Sequence, residues 1–391
     1  MTKDSEAAKL KLPKMEQTAQ TKIKQQPPQI NSGHFSEEGG ESLLTEIKNL
    51  HNQVQSTDLP PQLKEELNHS LNRLNRAMQH SFYQAEFEQT SRYIEWLASV
   101  PWIKRSEDNL DLSKAKEILN SNHYGLDQIK ERVLEYLAVL KLQAEKEKSN
   151  VVRLSRSPVL CFVGLPGTGK TSLGASIAES LNRAFIRIPM GGMSTPLILR
   201  GQTKSLPEAE PGMIIKGLRR AGTKNPVILL DEIDSVAQGA ESDIMGVLLE
   251  LLDPEQNSTF TDYYIDHPFD LSEVLFICSA NKIGNLTGAV MDRLEVIIMP
   301  RYTDNDKVHI GRDYLLPKEL RNVGLEGRPV KFADDVWPAI IKPFGYEIDI
   351  RSLQRTINGI LRKVAKRYVE GQLNEVTITT ANLPEFLPEF V

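Results

Sequence analysis

Gly164-Leu165-Pro166-Gly167-Thr168-Gly169-Lys170-Thr171 constrains this chain more tightly than any other stretch of it. The run fits G-x-x-x-x-G-K-[ST], a loop whose backbone N–H groups close on phosphate oxygens. Its flanks agree. Pro158 to Val163 is a short apolar run that reads as a buried parallel strand, and Ser172 to Leu181 carries Leu173, Ile177 and Leu181 at helical spacing. Glycines let the backbone approach an anion, and the helix that follows aims the positive end of its dipole at it. Lys170 reaches the terminal phosphates as a point charge, and the Thr171 hydroxyl is placed to ligate Mg²⁺. The expectation is a nucleotide site built from Gly164, Pro166, Gly167, Thr168, Gly169, Lys170, Thr171 and Ser172.

A second run completes it. Val227-Ile228-Leu229-Leu230 is an apolar strand ending in Asp231 and Glu232, about 60 residues beyond the loop. A carboxylate at that strand end, Asp231, would sit beside the loop and hold Mg²⁺ directly or through water. Glu232 is then placed to orient and deprotonate an attacking water. This second carboxylate separates an ATP hydrolase from a nucleotide kinase or a passive binder. A third apolar run, Val274 to Ser279, ends at Ala280-Asn281. Asn281 there either touches the γ-phosphate or the water, or is a plain turn residue.

Composition excludes several alternatives. A net charge of -5 over 391 residues gives no support for nucleic-acid binding. The two cysteines, Cys161 and Cys278, each lie inside an apolar strand-like run and read as reduced core thiols, not a zinc or disulfide framework. No apolar run approaches the roughly 18 residues needed to span a bilayer, and the N-terminal lysines are followed by no apolar signal region. The stretch also lacks arginine, which favours a bacterial-type cytoplasm over a mitochondrial matrix.

Taken in order, residues 1–40 are rich in Lys, Gln, Pro and Gly and are expected to form a disordered tail. Residues 41–150 read as helical. Leu44, Ile47 and Val54 mark a first helix, Leu63, Leu67, Leu71 and Leu74 a second, and Phe87, Ile94, Trp96 and Leu97 a third. Such stripes signal packing between helices, or a coiled-coil contact with another subunit. Two more helices, Asp111 to Asn120 and Leu126 to Lys146, flank His123-Tyr124-Gly125, and Tyr124 either stacks on adenine or fills a core. Residues 151–301 alternate strands and helices, with strands at 158–163, Phe185 to Pro189, Val227 to Leu230, Val274 to Ser279 and Glu295 to Met299. That rhythm is α/β, a three-layer domain on a parallel sheet. Residues 302–383 read as a small helical domain, and 384–391 as a C-terminal tail.

With these elements in sequence the chain resembles the AAA+ ATPases, and more narrowly the ATPase part of the Lon protease family. The resemblance rests on Lys104-Arg105-Ser106-Glu107-Asp108, His123-Tyr124-Gly125-Leu126, Gly222-Thr223-Lys224-Asn225-Pro226, Leu230-Asp231-Glu232-Ile233-Asp234, Leu252-Asp253-Pro254-Glu255-Gln256-Asn257 and Pro268-Phe269-Asp270-Leu271-Ser272. It covers roughly Glu41 to Leu383. It implies that Lys170 and Thr171 are the Walker A pair, Asp231 and Glu232 the Walker B pair, and Asn281 sensor 1. Arg293 falls on the arginine finger that acts on a neighbouring subunit's ATP, and Arg351 on the sensor 2 arginine of the lid. A finger in trans implies a homo-oligomeric ring, with a hexamer expected, and protein substrates.

The sequence departs from the family in three ways. The family's N-terminal substrate domain and its Ser-Lys peptidase domain are both expected to be missing from this sequence. Within the segment between Arg200-Gly201 and Pro211-Gly212, the family's aromatic-hydrophobic-glycine pore loop is replaced by Leu206-Pro207-Glu208. Proline stiffens that loop and glutamate charges it. The leading expectation is an ATP-driven ring that remodels or unfolds protein, alone or with a separately encoded peptidase. The alternatives are a nucleotide-switched adaptor acting on a full-length relative, and a fragment of an ATP-dependent Lon protease.

Overall fold

The structure, a computed structural model, describes residues 37–80, 84–146, 158–342 and 349–388. Its contacts divide the chain into residues 1–46 and residues 47–391. Most of the expected tail lies outside the described residues. Its last four positions do not: α1 (Glu37–Ser56) begins inside it.

Two further long helices follow, α2 (Pro61–His80) and α3 (Gln84–Ser99). Their apolar stripes are consumed within this chain. Leu63, Leu67, Leu71, Ile94 and Leu97 are buried, and they share one core with Leu50, Val54 and one face of the sheet. The packing reading of those stripes therefore accounts for them. α4 (Leu112–Asn122) is capped by Asp111, whose carboxylate accepts from Ser113 N and Lys114 N, and α5 (Asp127–Lys146) follows the turn at Tyr124-Gly125.

The α/β region runs β1 (Val159–Val163), α6 (Lys170–Ser180), β2 (Phe185–Pro189), α7 (Leu197–Arg200), α8 (Met213–Ala221), β3 (Val227–Asp231) and α9 (Glu241–Leu252). A short hairpin of β4 (Phe260–Thr261) and β5 (Pro268–Phe269) precedes β6 (Leu275–Ala280), α10 (Gly288–Met291) and β7 (Leu294–Ile298). The five long strands form one parallel sheet in the order β2-β3-β6-β1-β7. Alternation along each strand feeds two cores. Cys161, Ile228, Leu230, Phe276 and Cys278 face the side shared with α2, α3, α8 and α9. Leu160, Phe162, Leu229 and Ile277 face the side covered by α4, α5 and α6. Burial on both faces is why these strands are continuously apolar.

Beyond Tyr302 lies a third core. It is built by α11 (Asp304–His309), a π-helical turn at Ile310–Leu315, α12 (Leu316–Val323), β8 (Val330–Phe332), α13 (Trp337–Ile341), α14 (Ile350–Val369), β9 (Val376–Ile378) and α15 (Leu383–Phe386). The region is helical as expected, with one small addition: β8 and β9 pair in parallel from Val330↔Val376 to Phe332↔Ile378. Residues 384–391, expected to be a tail, are not wholly one, since Phe386 is buried against α14.

One loop has an unusual root. Residues 202–211 leave the fold at Gly201 and return at Gly212, and a Cβ on Gly212 would lie 1.9 Å from the Leu199 carbonyl oxygen. Buried Asp262 clasps this root, accepting from Gly212 N at 2.7 Å and from Tyr264 N at 2.8 Å.

Candidate functional site

Parallel strands with a reversal of order open a crevice at their carboxyl ends, where phosphate sites form. Here β1 ends at Val163, β6 at Ala280 and β3 at Asp231, with β6 lying between the other two. The loop after β1 turns through Gly167 (φ 82°) and Gly169 (φ 95°), left-handed positions that suit glycine, and Gly169 is the N-cap of α6. A cleft of about 700 Å³ opens above it. Its wall carries Pro166, Gly167, Gly169, Lys170, Thr171, Ser172, Asp231, Glu232, Asn281, Tyr124 and Arg351, brought together from both ends of the sequence.

Lys170 is mostly buried, and desolvation holds its ammonium group below the usual lysine range. Its Nζ donates to the carbonyls of Gly164 and Leu165 and to Asn281 Oδ1 at 3.0 Å. Asn281 is itself fixed by Asp234, whose two carboxylate oxygens accept from Asn281 N at 3.0 Å and Lys282 N at 2.9 Å. The Asn281 side chain thus belongs to the cleft and is not a turn device.

Asp231 is almost fully buried, and both of its oxygens are engaged. Ser279 Oγ donates to Oδ1, while Arg187 Nε at 2.6 Å and Thr171 Oγ1 at 3.4 Å converge on Oδ2. The hard oxygens of Thr171 and Asp231 so close together, one of them an anion that needs a counter-charge, fit Mg²⁺. Next in the chain, Glu232 occupies the left-handed region (φ 61°), a conformation that costs a non-glycine residue about 1 kcal/mol. Its N–H donates to Ser279 Oγ at 3.0 Å. Gly191 keeps space for its carboxylate, since a Cβ there would lie 2.8 Å from Glu232 Oε2.

Two residues expected on this wall stand elsewhere, and Arg293, expected to act on a neighbouring subunit, also lies off it. Gly164 is off the wall and backs on Met299, just past β7, whose Cβ would lie 2.8 Å from an added Cβ. Thr168 turns its hydroxyl to the Leu165 carbonyl at 2.9 Å, and its own carbonyl accepts from Tyr302 Oη at 3.3 Å. Arg293 is not among the lining residues; it donates to Asp253 Oδ2 at 2.9 Å, and this bond holds the Asp253 carboxyl below its usual range.

The lid side contributes Arg351 on α14, whose N-cap Asp349 accepts from Ser352 N at 2.7 Å. Tyr124 stacks on His309 with ring centroids 4.9 Å apart and planes 10° from parallel. Sequence reasoning missed Arg187, Ser279, Gly191, Asp234, Tyr302, Lys318 and Arg321 as parts or neighbours of this cleft. It also missed His123 beneath the loop helix, where Nε2 lies 2.9 Å from Ser176 Oγ and burial lowers the imidazole to about 4.

Comparison with known proteins agrees with this geometry. Residues 160–302 match the ATPase family associated with various cellular activities (AAA). The fold and this match make residues 160–302 an AAA domain. Residues 321–376 match the Lon protease AAA+ ATPase lid domain. Lon protease 2 of Thermus thermophilus is 43% identical over 359 residues, covering 90% of this chain and 44% of the relative. Lon protease of Dictyoglomus thermophilum is 43% identical over 343 residues, covering 88% and 42%. Lon protease of Lawsonia intracellularis is 43% identical over 348 residues, covering 88% and 40%. The chain thus carries an AAA domain followed by a Lon-type lid domain, and it spans less than half the length of these relatives. Among the described residues no helix is long and apolar enough to cross a membrane.

Proposed function

We propose that this module binds ATP with Mg²⁺ and hydrolyses it to drive work on polypeptide within a homo-oligomeric ring, for which a hexamer is expected. The observation that carries the reading is the convergence of Lys170, Thr171, Asp231, Glu232, Asn281 and Arg351 on one cleft at the carboxyl edge of the sheet. Lys170 and the loop N–H groups receive the phosphates. Thr171 and Asp231 would hold Mg²⁺, which supplies charge neutralisation at the phosphates when bound. Glu232, held in place by Ser279 and given room by Gly191, takes the proton from the attacking water. Asn281 and Arg351 bracket the terminal phosphate, and Tyr124 lies beside the base. Arg293, outside its own chain's cleft, serves the neighbouring subunit's ATP. Any peptidase chemistry belongs to a domain or partner beyond these residues, and the setting is a bacterial-type cytoplasm.

The test is Glu232→Gln. It should bind ATP with near-normal affinity and turn it over at least about 100-fold more slowly, the scale of a lost general base. Turnover at the wild-type rate would overturn the role of Glu232. A second reading, a nucleotide-switched adaptor, is favoured by the loop tip. Leu206 is exposed, and Lys204 of the same loop is engaged with Asp266 at 3.0 Å and with the Tyr93 ring at 4.9 Å. Casein-stimulated turnover would reject that reading.

A further inference from the structure

Arg187 belongs to no motif, yet it touches Asp231, the buried carboxylate at the centre of the cleft. It sits on β2, opposite Leu229 in the register and two residues before Pro189, the partner of Asp231. Its Nε lies 2.6 Å from Asp231 Oδ2, and the pair is lopsided: the Arg187 side chain is 48% exposed and that of Asp231 3%. Oδ2 is also the oxygen approached by the Thr171 hydroxyl at 3.4 Å, whereas Oδ1 is taken by Ser279. The guanidinium therefore sits on the one Asp231 oxygen that faces the Thr171 hydroxyl.

A carboxylate kept ionised at this depth is stabilised by a counter-charge beside it. A divalent ion held by Thr171 and Asp231 would supply one, but it would then share Asp231 with the Arg187 guanidinium. Two cations sharing one carboxylate repel strongly in a half-desolvated site. Arg187 is the member free to yield. Half of its side chain is in water, and a long arginine stem carries its head away from a site at little cost.

We propose that Arg187 is a competitor for the metal position, a resident counter-charge that neutralises Asp231 while the metal is away and is displaced as Mg²⁺ enters. This rests on the Mg²⁺–ATP reading above and adds a residue that sets how tightly the metal is held and how readily it leaves. A cation that merely tied the edge strand β2 to β3 would affect stability alone. A cation that oriented Asp231 for the metal would act in the opposite direction on metal affinity.

The experiment uses the full chain, a fluorescent ADP analogue and MgCl₂ titrated from EDTA-treated protein, with binding and not turnover as the readout. In Arg187→Gln the Mg²⁺ concentration at half-maximal analogue binding should fall about 5- to 10-fold, the scale of one charge-assisted contact removed from the ion's competitor. Arg187→Lys, which keeps a cation near Oδ2, should fall between that variant and wild type. It also keeps the question open to test should the glutamine variant fold poorly. A midpoint that is unchanged or higher in both variants overturns the proposal. Thermal melting gives a second reading. Arg187→Gln should melt below wild type in EDTA, and the gap should close with Mg²⁺ and ADP, because wild type then no longer uses the contact. A gap that is constant in both conditions also overturns it. Failure of wild type to bind the analogue would instead overturn the proposed function, and this inference with it.

Discussion

Lowering the pH from 7.5 to 4.5 should destabilise this protein by about 2.5 kcal/mol through His123 alone. The imidazole is 5% exposed, pressed under α6. Lys130 Nζ lies 2.7 Å from its backbone carbonyl, which adds positive charge nearby. Burial first, and Lys130 second, move its proton affinity from the ordinary 6.5 to about 4. The sign follows from which state takes up the proton. Above pH 6.5 both folded and unfolded chains hold a neutral ring. Below it the unfolded chain protonates while the folded one resists, so stability falls until about pH 4 and then levels. At about 1.4 kcal/mol per pH unit the whole window is worth roughly 3 kcal/mol, and about 2.5 of it is spent by pH 4.5. Asp262 works in the opposite sense, because burial raises its carboxyl to about 6 and the fold therefore gains as pH falls from 6 toward 3.8. Wild type alone would mix the two effects. The informative quantity is the difference between wild type and His123→Gln in urea unfolding followed by tryptophan fluorescence at each pH. That difference should move in the variant's favour by about 2.5 kcal/mol between pH 7.5 and 4.5. Parallel curves would refute the reasoning and mean that His123 titrates as it does in water.

Three further substitutions probe the site, the lid and α9. Ser279→Ala removes the hydroxyl shared by Asp231 and the Glu232 N–H; it should cost about 2–4 kcal/mol and slow turnover about 10- to 100-fold with ATP affinity little changed, measured by melting and steady-state kinetics. Gly311→Ala would push a methyl to 2.7 Å from the Trp337 ring and should lower stability by about 1–3 kcal/mol. Gly246→Ala in α9 meets nothing within 4 Å, and so should be neutral or stabilising by up to about 1 kcal/mol.

The sheet was legible because its central strands β1, β3 and β6 are buried on both faces and so almost wholly apolar, and the loop and its carboxylates were legible because phosphate capture demands fixed spacing. What escaped was set by neighbours in space. Arg187 and Ser279 matter because β2 and β6 flank β3, a strand order no local run of residues encodes. The β8–β9 pair joins three-residue strands separated by the whole of α13 and α14, too short for an alternating pattern to register. His123 was placed in a turn, and only the packing of α6 over it makes it a buried base. The aromatic stack of Tyr124 on His309 likewise needs the lid to fold over the loop.

The root of the loop at 202–211 has a consequence for how the molecule can change. Because the chain departs at Gly201 and rejoins at Gly212 in near contact, with Asp262 holding the junction, the intervening residues form a closed excursion. Its tip can be lengthened, stiffened or recharged without shifting a strand or the nucleotide cleft. Selection on what Leu206, Pro207 and Glu208 touch is thereby uncoupled from selection on the chemistry beneath them.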